Sequence, residues 1–75
     1  MTTLNQMKTS QSGRIVSIRP DGPITGRLMA MGLLPGAVVR VLGVAPLGDP
    51  IMVQLDGSRL SIRKAEAEAL TVQLG

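Results

Sequence analysis

The stretch Arg27–Pro50, RLMAMGLLPGAVVRVLGVAPLGDP, leaves the chain little conformational freedom. Gly32 stands where a helix ending in a left-handed residue places its glycine, and Leu33 follows as the apolar contact of that motif. Leu34-Pro35-Gly36-Ala37 has the Pro and Gly placement of a type II turn. Val38–Val44 is a β-branched run of one strand's length, with Val39 and Val41 sharing one face. Ala45–Pro50 turns the chain again with two prolines and a glycine. Helix, stop, turn, strand and turn thus follow one another with no slack.

The flanking sequence completes a small β protein. Met1–Ser12 is rich in Thr, Ser, Gln and Asn and reads as a flexible N-terminal tail. Arg14–Arg19 reads as a strand with Val16 and Ile18 inward and Ile15 on the other face. Pro20-Asp21-Gly22-Pro23 is a turn that starts a helix, with Pro23 at its first position. Ile24, Leu28 and Met31 form the apolar stripe of that helix, although Gly26 costs it about 1 kcal/mol relative to Ala. Ile51, Val53 and Leu55 alternate inward, Asp56-Gly57 is a hairpin turn, and Leu60 and Ile62 return. Arg63–Ala69 favours a helix of about two turns, with a Lys64–Glu68 pair at helical spacing. Leu70–Leu74 closes the chain as a last alternating strand.

About five short strands in some sixty residues cannot bury an apolar face while flat. Curling them together predicts an all-β fold, a small SH3-like, partly open five-stranded barrel with one or two short helices. The expected organisation is a tail over residues 1–12 and one domain over 13–75. No Phe, Tyr or Trp is present, so the core must be aliphatic.

The same composition narrows function. With neither Cys nor His, the usual nucleophile, general base and transition-metal ligands are missing, so no catalytic, cofactor or metal site is expected. Gly43–Gly48 has the glycine spacing of a phosphate loop, but Asp49 and Pro50 stand where Lys and Ser or Thr belong. It reads as a structural turn. The SH3 type of polyproline groove needs aromatics and is excluded. Asp49, Asp56, Glu66 and Glu68 read as turn-forming or solvated residues. The net charge of +3 is spread along the chain in runs no longer than two, which is a poor footprint for nucleic acid. No segment approaches the ~20 clean apolar residues of a membrane span, and Met1–Ser12 lacks an apolar signal core. A cytoplasmic protein is expected. Apolar residues without assured core places, with the helix end at their centre, point to a protein partner. The candidate contact residues are Arg27, Met29, Ala30, Leu33, Leu34 and Met52. Weak homo-oligomerisation is compatible with such a face.

Arg27-Leu28-x-x-Met31-Gly32-Leu33-x-Pro35-Gly36, then Val39-x-Val41, then Ala45–Pro50, resembles the FeoA family. Gly57-x-Arg59-Leu60-Ser61-Ile62-Arg63-x-x-Glu66-Ala67 and the strand after it fit the same family. The resemblance covers about Gly13–Leu74. It implies a small cytoplasmic SH3-like accessory protein, without enzymatic activity, of the bacterial ferrous iron transporter FeoB, reaching the membrane only through that partner. Two alternatives stand beside it. One is a small basic SH3-like nucleic-acid binder, and the other is a stand-alone relative of the SH3-like domain of iron-dependent repressors. An arginine supplied to the partner's GTPase, from Arg27, Arg40 or Arg59, is a subsidiary idea.

Overall fold

Alternation of apolar and polar residues is clearest at Ile51–Leu55, and that segment forms the strand β4 at the heart of a hairpin. The computed structural model describes residues 1–75. In it Ile51, Val53 and Leu55 are buried while Met52 and Gln54 are exposed. The two-residue turn Asp56-Gly57, with Asp56 at a φ of 54°, returns the chain into β5 (Ser58–Ile62). On the other side β4 pairs with β3 (Val38–Val44), whose Val39 and Val41 are fully buried. Beyond β3 lie β2 (Ser12–Ile18), β6 (Leu70–Leu74) and β1 (Thr2–Thr3), giving one six-stranded sheet in the order β1-β6-β2-β3-β4-β5. All pairings are antiparallel. The order is linear, with β1 and β5 as the two edges, so the expected SH3-like barrel is open, and it has six strands rather than five.

The difference in strand number comes from the first residues. They do not form a tail: Thr2 and Thr3 pair with Val72 and Thr71, Leu4 is fully buried, and Met7 is 6% exposed. A 3-10 turn at Leu4–Gln6 directs both side chains inward. Two apolar residues among polar ones suffice because burying each is worth about 1.5–3 kcal/mol.

A second correction concerns β2. Ile15 is buried and Val16 exposed, the reverse of the alternation read from the sequence. A β-bulge against β6 between Ile15 and Ser17 explains it, because one extra residue inverts which face the following side chains take. Ile15 and the half-buried Ile18 both reach the core. A similar irregularity at Leu42 in β3 lets Val41 pair with Val53 and Gly43 with Met52. Gly13 sits where β2 meets β6 closely; a Cβ there would collide with the Val72 side chain and come within 3.0 Å of the Gln73 carbonyl oxygen.

The helix α1 (Pro23–Ala30) starts with Pro23 after Gly22, as expected. Its end is a complete Schellman motif: Gly32 has a φ of 90°, its N–H donates to the Met29 carbonyl at 3.0 Å, and the Leu33 N–H donates to the Leu28 carbonyl at 3.0 Å. Leu28 and Leu33 are both fully buried, so the helix end plugs the inner side of the sheet. The Pro35-Gly36 turn follows, closed by the Ala37 N–H on the Leu34 carbonyl at 2.9 Å. It is tied to β2 by a bond in each direction between Ile15 and the turn's Gly36 and Ala37. The last helix, α2 (Lys64–Ala67), is a single turn rather than two, because Ala69 and Leu70 are already buried at the start of β6.

Candidate functional site

The six candidate contact residues do not form one surface. Met29, Ala30 and Leu34 lie at and just beyond the C-terminal end of α1 and are exposed, Met29 by 49% and Leu34 by 40%. Leu33, between them in sequence, is fully buried and cannot offer its side chain to a partner. The Schellman geometry is the reason, since it directs Leu33 back onto Leu28. Met52 is exposed, but it points outward from β4, away from the core-facing side of the sheet that α1 covers.

Arg27 is not free either. Its guanidinium forms an ion pair with Glu66, Nε to Oε2 at 2.6 Å, linking α1 to α2. Glu66 is the one buried charged residue, which corrects its reading as a solvated side chain. Its other oxygen accepts the Arg63 backbone N–H at 2.9 Å, so the carboxylate both caps α2 and holds α1. The signal was present in the sequence, because a Glu three residues into a helix reaches back to the N-cap amide. Asp49 also reaches α2: its Oδ1 accepts the Lys64 N–H at 3.1 Å from a turn fifteen residues away. The expected Lys64–Glu68 pair does not form; the ion pairs present are Arg27–Glu66 and Arg19–Asp21.

The Gly43–Gly48 segment is a turn, closed by the Gly48 N–H on the Ala45 carbonyl at 2.7 Å and the Ala45 N–H on the Pro50 carbonyl at 3.0 Å. Beside it lies an outward hollow of about 350 Å3 lined by Leu42, Val44, Pro50, Met52 and Arg59 among others. Leu47, at the tip of the turn, is almost fully exposed. No three His, Cys, Asp or Glu side chains gather to hold a metal ion. The surface presents an apolar helix end on one side and an apolar hollow walled by Arg59 on the other.

A family profile for the FeoA domain matches residues 2–74, nearly the whole chain. The chain belongs to the FeoA family. Its first strand is inside the match, in keeping with the pairing of Thr2 and Thr3. Among the relatives of this FeoA-family chain is a putative Fe(2+) transport protein A of Campylobacter jejuni, 29% identical over 96% of this chain and 97% of its own length. Another is a fusion of Fe(2+) transport protein A with the Fe(2+) transporter FeoB in Porphyromonas gingivalis, 28% identical. That match takes in 95% of this chain and only 8% of the fusion protein, so the chain spans a small part of that relative. The solution structure of the FeoA protein of Chlorobium tepidum superposes with a TM-score of 0.88 at 38% identity, covering 97% of this chain and 70% of that one. A Stenotrophomonas maltophilia FeoA, described as a procaryotic SH3 domain protein, superposes with a TM-score of 0.84 at 27% identity, over 97% and 91% of the two chains. The IdeR of T. acidophilum shares the fold alone, with a TM-score of 0.88 at 24% identity over 99% of this chain and 34% of that one. The family is thus one of ferrous iron transport. No helix is long and apolar enough to cross a membrane.

Proposed function

We propose that this FeoA-family chain is a non-enzymatic accessory protein that docks on the cytoplasmic part of a FeoB-type ferrous iron transporter and modulates it. The observation that carries the reading is the end of α1. Met29, Ala30 and Leu34 stay exposed there while their neighbours Leu28 and Leu33 are spent on the core. Exposed apolar side chains grouped on a rigid helix stop are the anatomy of a contact surface. Methionine adds an adaptable, polarisable contact. The P. gingivalis fusion supports the choice of partner, because in that protein the two components share one chain. Arg27, held by Glu66, is a frame for this surface rather than a free charge.

The test is capture of the soluble GTPase-containing region of the transporter from the same cell by the intact chain. Met29→Glu and Leu34→Glu should each weaken capture at least about tenfold, the scale of a contact worth 1.4 kcal/mol. Both positions are exposed, so the variants should keep the wild-type amide spectrum. Capture that survives both substitutions places the contact elsewhere.

A further inference from the structure

The outer face of the β3–β4–β5 hairpins carries a feature that the helix surface does not use. Arg40, Gln54 and Arg59 stand in one cross-strand row, since Arg40 pairs with Gln54 and Gln54 with Arg59. Strand spacing puts the two arginine backbones roughly 10 Å apart. Neither makes an ion pair, because the two that exist engage Arg19 and Arg27. Asp56 shares a shallow hollow with Arg40 and Gln54 but lies outside ion-pair distance of Arg40. On the other side of this row, Arg59 forms a wall of the apolar hollow of Leu42, Val44, Pro50 and Met52.

The backbone beside this hollow is also unpartnered. The strand β5 is a sheet edge. Its register places Arg59 and Ser61 alternately with the residues that close the Asp56-Gly57 hairpin. In an antiparallel pair such positions direct N–H and C=O away from the neighbouring strand. No backbone bond outside the ladder uses either residue. An edge of this kind is a template for an added strand.

We infer that the β5 edge, with Arg59 and the apolar hollow of Met52, is a docking site for an extended acidic–apolar segment of a protein partner. The segment adds as a strand beside Arg59 and Ser61. One of its carboxylates meets Arg59, and an apolar side chain two residues further on reaches over Ser61 toward Met52. The residue between them covers the half-buried Leu60 on the inner side. Charge selects this occupant over a second copy of the chain. Two β5 strands placed side by side would bring Arg59, Arg63 and Lys64 of both copies together, and like charges across strands repel. The site does not depend on the partner proposed for α1, and the two are tested on different residues.

Titration of the full chain with the peptide Ac-DSEVLSD-NH2, followed by amide and methyl NMR, tests this. The expected result is shifts and slowed exchange at the Arg59 and Ser61 amides, with methyl shifts at Leu42, Val44 and Met52. Arg59→Glu should weaken binding about tenfold or more at low salt and transfer preference to Ac-KSKVLSK-NH2. Ser61→Pro removes an outward N–H where an edge tolerates proline, and should abolish the β5 shifts with the remaining spectrum kept. No shifts at millimolar peptide would mean that the arginines only guard the edge, and would overturn the inference. So would shifts mapping elsewhere, equal binding of the acidic and basic peptides, or concentration-dependent broadening of β5 in the chain alone.

Discussion

Glu66 concentrates more structure than any other single side chain here. Its carboxylate is buried and serves two elements, accepting the Arg63 amide at 2.9 Å and pairing with the Arg27 guanidinium at 2.6 Å. A buried acceptor without its donors costs more than the bond itself contributes, and a short helix depends on its caps. Glu66→Ala removes both interactions and should lower stability by about 1–3 kcal/mol in urea unfolding. Glu66→Gln keeps an acceptor for the Arg63 amide and loses the ionic part. It should therefore cost less than the alanine variant, with the m-value unchanged for both. Equal midpoints for wild type and Glu66→Ala would make the pair ornamental. Arg27, with its side chain 58% exposed, contributes to this arrangement mainly as an orienting partner.

Among the elements, β1 and the 3-10 turn after it are the ones composition conceals. Thr2-Thr3-Leu4 contains a single strong core residue, yet Leu4 is fully buried with Met7 beside it. Leu4→Ala should cost about 2–4 kcal/mol by the same measurement, as truncation of a buried leucine does. A mobile tail would show no change. The contrast marks where sequence reasoning holds and where it stops. The helix stop at Gly32, the Pro35-Gly36 turn, the Asp56-Gly57 hairpin and the inward set of β3 and β4 were legible because each is fixed by neighbours a few residues away. The order of two residues in β2 was not, because the bulge at Val16 answers to β6, more than fifty residues on. Leu33 failed as a contact residue for a related reason. Strand and helix periodicity assign it no core place, while the Schellman motif expected from Gly32 packs it on Leu28. In the Arg40–Gln54–Arg59 row the Gln54–Arg59 pair follows from the Asp56-Gly57 turn. Arg40 was hidden because the β3–β4 register is set across the Ala45–Pro50 turn and the irregularity at Leu42.

At the scale of the molecule, one aliphatic core draws on both chain ends, from Leu4 to Val72, and leaves two contact surfaces of different chemistry. The α1 end is apolar, and its arginine is already neutralised by Glu66. The β5 edge presents the unpaired Arg59 beside an apolar hollow, with Arg40 two strands away. Salt therefore separates the functional readings. Association through Met29, Ala30 and Leu34 removes apolar area from water and releases few counterions, so its Kd should move by less than about threefold between roughly 50 and 200 mM salt. A basic module bound to nucleic acid through six or more phosphates would lose about a thousandfold over the same range. Titrating the transporter's soluble domain and a duplex of mixed sequence in parallel at both salt concentrations decides between the accessory protein and the nucleic-acid binder. The net charge of +3 is shared by both readings and cannot separate them. A steep salt slope with the transporter domain would move the primary contact from α1 to Arg59 at the β5 edge.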